Sequence, residues 1–203
     1  VNERQKLWRQ MTLREPPFEG NEATDYGNLH EQDALSAFEK ELFAAAVQAQ
    51  NETGAPIITH CEEGKGALAQ IAELKKLGAN LKRIVLSHTD KYPDHKYHQE
   101  ILSTGINVEY DQSLRQAESS NRPSLELTVA MCSAGFTKQI MLGTDGARRS
   151  LWKSLGGSPG LSWLASGWRQ LLKEAGLSDA QLSEIFRENP RRFLRLSDIR
   201  LQP

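Results

Sequence analysis

Apolar residues recur along this chain in two alternating rhythms. Between residues 34 and 54, Leu35, Phe38, Leu42, Ala45, Ala46 and Ala49 fall at helical spacing and define one face of an amphipathic helix, which Gly54 stops. A short apolar run, APIITH (55–60), follows and reads as a buried strand. The cycle then repeats. GALAQIAELKKLG carries Leu68, Ile71, Leu74 and Leu77 on a helical face and ends at Gly78, and RIVLSH (83–88) is a second strand. PDHKYHQEILSTG is a helix with Pro93 near its start and Gly105 behind it, and INVEY (106–110) is a third strand. RPSLELTVAMCSAGF is helical and KQIMLGTD (138–145) is a fourth strand. The tail is helical throughout: LSWLASGWRQLLKEAG, then SDAQLSEIFREN with Ser178 as its N-cap, then a last turn from Pro190.

Strands alternating with helices predict an α/β fold of βα units around a parallel sheet. Strands that are apolar throughout predict a sheet covered on both faces. Residues 1–33 break the pattern. They are polar, rich in turn formers and without period, apart from a short helix expected at 2–11, and read as an irregular leader before a barrel-like region at 34–203.

Charge narrows the partners. The chain has 25 basic and 26 acidic residues, so no basic excess exists to neutralise nucleic acid or an acidic membrane. No apolar run approaches the ~18 residues of a membrane span. The two cysteines, Cys61 and Cys132, lack CxxC spacing, which predicts free thiols in a reducing compartment and hence a cytoplasmic protein. Cys61 reads as a small buried hydrophobe.

Chemistry gathers at the strand ends. His60 closes the first strand, His88 the second and Asp145 the fourth. In a parallel sheet these ends share one edge, where ligands bind. Imidazole nitrogen with carboxylate oxygen suits zinc or another first-row divalent ion. Taken singly, each has a plainer reading: a hydrogen-bonded structural histidine, or an aspartate capping the turn at Gly146. His95 and His98, at the start of a helix, and His30, in the leader, are weaker candidates.

GAPIITHCEEG, LSHTDKYPDHKYH, LGTDGARRSLWKSLGGSPGL and the closing ENPRRFL together resemble the phosphotriesterase-related branch of the amidohydrolase superfamily, from about Ala34 to Leu194. The resemblance implies a (β/α)8 TIM barrel whose mouth holds two divalent metals, usually zinc, bridged by a hydroxide. It makes His60 and His88 ligands of the more exposed metal. Asp145 becomes a ligand of the buried metal and the catalytic proton acceptor. It implies a hydrolase in which metal-activated hydroxide attacks a small-molecule phosphotriester, lactone or ester. Arg148 or Arg149, after Asp145, would meet an anionic substrate group, or else form an ion pair that fixes the loop. The GGSPG loop (156–160) would shape substrate choice.

The chain departs from that pattern in three respects. It shows about four βα units where the family has eight. The family's His-x-His pair on the first strand is absent. At the position of its bridging lysine or glutamate stands Gly27, with Glu22 the nearest acid that a small insertion could place there. These departures lead to the expectation that the sequence is part of a longer protein, or that two half barrels complete one another as a homodimer. A non-catalytic truncated barrel and a binding module for a small anionic ligand are the alternatives to an enzyme.

Overall fold

A computed structural model describes residues 35–195. The helix expected at 2–11 and the candidates Glu22, Gly27 and His30 lie outside the described residues. Helix α1 (Ala37–Thr53) opens with a capping box: Ser36 Oγ accepts from Glu39 N at 3.2 Å, and Glu39 Oε2 accepts from Ser36 N at 2.8 Å. Gly54 ends it at φ 66°, a left-handed conformation that glycine adopts at little cost.

The strands are β1 (Ile57–His60), β2 (Ile84–Ser87), β3 (Asn107–Tyr110) and β4 (Ile140–Leu142), each shorter than the apolar run that announced it. They pair in chain order and all run parallel. Helices α2 (Ala67–Lys76), α3 (His95–Ser103) and α4 (Pro123–Ser133) make the crossovers that parallel pairing requires. Asp94 caps α3, accepting from Tyr97 N at 2.8 Å, so the helix starts after Pro93.

The tail departs from regular helix in two places. The first segment widens into a π turn at Leu164–Trp168 before α5 (Arg169–Glu174). The second runs from α6 (Asp179–Ser183), capped by Ser178, through a π turn at Glu184–Glu188 into α7 (Asn189–Leu194). Pro190 explains the second turn, because it has no N–H to continue the α ladder.

Alternate strand residues serve different faces. Ile57, Ile84, Leu86, Val108, Tyr110 and Ile140 point to the helices and join Leu74, Ile101, Leu127, Met131, Trp168 and Leu172 in the main core. On the other face, a smaller cluster unites Val85 and Met141 with Phe193 of α7. Coverage of both faces, expected from the apolar strands, therefore fails at the edge strand β1, where Ile58 is 60% exposed.

The expected apolar face of α1 is only in part its buried one: Ala46 and Ala49 turn toward the core, the larger residues do not. Phe38 and Leu42 are 65% and 54% exposed, whereas Val47 and Gln50 are buried and Phe43 and Ala46 pack against the core. A polar residue sets this rotation. Gln50 Oε1 accepts from Asn80 N at 2.7 Å and its Nε2 donates to Arg83 O at 3.2 Å, which ties α1 to the entry of β2. Arg83 in turn donates to Gly54 O and Phe193 O at 2.8 and 2.7 Å, joining both ends of the fold beneath the sheet.

This packing predicts a contrast measurable by urea unfolding. Leu86→Ala, at a fully buried site, should cost about 2–5 kcal/mol, while Leu42→Ala should fall within roughly 0.5 kcal/mol of wild type. A large loss for Leu42→Ala would mean that something covers this face of α1.

Candidate metal centre

The parallel register brings all four strands to one edge at their C-terminal ends. His60 is the last residue of β1, where its side chain is half exposed and Nε2 lies 2.7 Å from Glu62 Oε2. That contact holds the Glu62 carboxyl below its ordinary range. The His60 ring lies edge-on to the ring of His88, centroid to centroid 4.6 Å.

His88 stands one residue beyond β2, not within it. Its φ of 65° is left-handed, which turns the side chain out of the strand direction. Asp111 holds it there. Asp111 Oδ2 accepts from His88 N at 3.1 Å and lies 2.7 Å from the ring Nδ1. The ring nitrogen is not aligned for a hydrogen bond to that oxygen, and it is buried without one. Asp145 lies three residues beyond β4, at φ 37°. Arg115 grips it twice, with Nη2 at 2.6 Å from Oδ2 and Nη1 donating to Asp145 O at 3.1 Å.

His88, Asp111 and Asp145 each offer a ligand atom, and these atoms lie within 4.8 Å of one another. Asp111 did not emerge from the sequence, although the signal was present: it follows the third strand directly, as His88 follows the second. His60 stands beside this group rather than in it. The donors fit a first-row divalent ion, because two carboxylates and a buried imidazole nitrogen with no hydrogen bond form an N/O ligand set.

The surrounding groups are acidic and desolvated. Burial, with Asp111 and Asp145 adding to it, pushes the Glu109 carboxyl up. Asp90, buried beneath the loop, is pushed up to about 7 by burial and then by Asp111. Burial, and less so Asp111, pushes the Cys61 thiol up to about 12, so this buried cysteine is no nucleophile. His98 is structural. Its Nε2 lies 3.1 Å from both Thr89 O and Tyr92 O, and its Nδ1 lies 2.9 Å from Tyr110 Oη. It thereby pins the loop that carries His88. His95 is exposed at the start of α3 and outside the group.

Arg148 and Arg149 are exposed and line, with Arg115, Leu114, Leu151 and Leu155, a cleft of about 960 Å³. Arg115 is the residue shared by the cleft and the acidic group. GGSPG forms part of its wall, held by Gly157 N and Ser158 N donating to Trp152 O and Ser150 O, each at 2.9 Å.

Comparison with known proteins decides the lineage. The model of the phosphotriesterase family matches residues 26–194. The chain belongs to the phosphotriesterase family. It is 29% identical to the phosphotriesterase homology protein of Escherichia coli over 159 residues, which cover 78% of this chain and 54% of that one. It is 28% identical to the phospho-furanose lactonase of Mycoplasmopsis synoviae, over 82% of this chain and 49% of the relative. Among solved structures, the E. coli protein with phosphate in its active site matches at a TM-score of 0.74, 29% identity, and 79% and 55% coverage. A lactonase from Listeria monocytogenes matches at 0.75, 28% identity, and 81% and 52% coverage. This phosphotriesterase-family chain thus spans about half the length of the curated relatives it matches, and its four βα units correspond to about half of a family TIM barrel. No described helix is long and apolar enough to cross a membrane.

The pinning of the His88 loop makes a pH prediction. Burial lowers His98 to about 4 from an ordinary 6.5. The folded state then binds this proton less readily than the unfolded chain, so the stability from neutral His98 is complete above 6.5 and lost as pH falls toward 4. Asp90, raised to about 7, acts in the opposite sense, losing its contribution as pH rises from 3.8 toward 7. A difference measurement separates them. Relative to His98→Gln, wild type should lose on the order of 3 kcal/mol between pH 6.5 and 4 in urea titrations. Parallel pH profiles would contradict the assignment.

Proposed function

We propose that this chain carries one part of the active site of a metal-dependent hydrolase, acting on a lactone, ester or phosphotriester that bears an anionic group. The observation that carries this reading is the convergence of His88, Asp111 and Asp145 at the C-terminal edge of a phosphotriesterase-family sheet. In this reading His60, His88 and Asp145 are metal ligands, with His60 swinging from Glu62 to join its neighbour. A bound zinc or similar divalent ion supplies Lewis acidity and a water of lowered pKa.

The chain's own residues do the rest. Arg115 engages one oxygen of Asp145 and leaves the other free to take a proton at the mouth. Asp111 fixes the main chain of His88, and so the direction of its ring. Arg148 and Arg149, with Arg115, give the cleft a positive lining suited to a phosphate or carboxylate. The relatives called phospho-furanose lactonases favour a phosphorylated lactone as the first substrate to try.

The test is hydrolysis of phosphorylated and unphosphorylated lactones, and of an aryl phosphotriester, by the purified protein. Chelation should abolish turnover, and zinc or manganese should restore it. Asp145→Asn should lower kcat by roughly 10²–10⁴. Arg148→Ala should raise KM for the phosphorylated lactone by roughly 10–100-fold and leave the unphosphorylated one little changed. Turnover that survives chelation, or that His88→Ala leaves intact, would refute the reading. Saturable binding of a phosphorylated sugar without metal or turnover would instead identify a binding module.

A further inference from the structure

The underside of the sheet carries a second polar cavity, at the opposite end of the strands from the mouth. Arg83 precedes β2 directly, as His88 follows it. Beside Arg83 opens a space of about 630 Å³, walled also by Asn51 of α1, Gly54 behind it, Asn80, Arg192 of α7 and Arg195. Its charge is one-sided. Three guanidinium groups line it, and among the described residues no carboxylate does. Glu184 pairs with Arg192 at 2.8 Å, but neither Arg83 nor Arg195 has an ion-pair partner among the described residues. Glu52, next to Asn51, accepts from Gln48 Nε2 at 2.9 Å and is not part of the wall.

Arg83 is preset to bind an anion. Its Nη1 donates to Phe193 O at 2.7 Å and to Arg192 O at 3.3 Å, and its Nη2 to Gly54 O at 2.8 Å. These main-chain carbonyls fix the guanidinium without neutralising it. Of its five N–H donors, Nε–H and one on Nη2 have no partner. Donors on neighbouring nitrogens can grip two oxygens of one anion. A purely structural role would account for the carbonyl bonds but not for Arg195, whose exposed side chain makes no hydrogen bond and still lines the same wall.

We propose that this cavity binds a phosphate group, free or on a small monoester. Three guanidiniums suit the double charge and several oxygens of a phosphate better than the single charge of a carboxylate. The volume falls in the range of small-molecule sites and leaves room for an organic part. Asn80 Oδ1 is taken by Lys82 N at 3.2 Å, so its amide N–H groups, with the side chain of Asn51, are left for hydroxyl groups of that part. The site is separate from the metal centre and the Arg148 cleft, and does not depend on the hydrolase reading.

Calorimetric titration of the metal-free full chain tests it, with inorganic phosphate, glycerol phosphate and glycerol as probes, at an ionic strength fixed with chloride. Both phosphates should bind saturably and glycerol should not. Arg195→Ala should weaken the binding roughly 10-fold. Arg83→Lys, which keeps the charge but loses the paired donors, should weaken it by roughly 10–100-fold. Arg148→Ala should leave this affinity unchanged. Tighter binding of glycerol phosphate than of phosphate, lessened by Asn51→Ala, would identify a phosphomonoester as the ligand, and equal affinities would identify free phosphate. The proposal falls if neither phosphate binds saturably, or if Arg195→Ala leaves the affinity unchanged. It falls too if Arg148→Ala abolishes binding, which would put the phosphate in the mouth cleft. Should Arg83→Lys fail to fold, Arg195→Ala, at a side chain that holds nothing in the fold, decides alone.

Discussion

Parallel hydrogen bonding across β1 to β4 is the constraint on which the rest of this structure depends. It aligns His60 with Ser87, Ser87 with Glu109 and Glu109 with Met141. Each strand then delivers its next residues to the same edge. Because each crossover returns the chain to the far end of the sheet, groups from four separated segments meet without any of them being adjacent in sequence. His88, Asp111 and Asp145 rise one, one and three residues beyond their strands. A slip of one residue in β3 would exchange the faces of Glu109 and Tyr110, placing a charge in the helical core and a phenol at the mouth.

What could be read from the sequence was whatever depends on local pattern. The strands and crossover helices follow from apolar runs and their glycine and proline boundaries, and Ser178 capped its helix as its side chain suggests. The face of α1 did not follow, because Leu42 and Val47 are equally apolar and only a tertiary bond, from Gln50 to the entry of β2, selects between them. The metal group was half visible. A histidine at a strand end attracts notice, whereas Asp111 looks like an ordinary turn residue until the register sets it 2.7 Å from His88 Nδ1.

Electrostatics separates the two flanks of the site. On the β3 side, acids are buried and raised, and Asp90 sits behind Asp111 with one oxygen unbonded. On the far side of Asp145, Arg115, Arg148 and Arg149 line the cleft. A cation is favoured on the first flank and an anion on the second, with Asp145 and its Arg115 partner at the boundary. A ligand that is anionic at one end and presents an electrophilic carbonyl or phosphorus a few ångströms away would match this ordering of charge.

The loops that hold these groups are held by backbone, which bears on whether the site is preformed. Gly64, after β1, lies so close to the next loop that a side-chain carbon there would stand 2.5 Å from Tyr92 N and 2.8 Å from Thr89 O. His98 reaches the carbonyls of Thr89 and Tyr92 from below, and Asp111 accepts from His88 N from the side. The left-handed turn at His88 is thus held from three directions, as a strained residue needs to be if it is to persist. Of the atoms that converge at the mouth, these contacts use only Asp111 Oδ2, which lies against both the main chain and the ring of His88. These protein contacts fix the loop that presents His88 to Asp111 and Asp145.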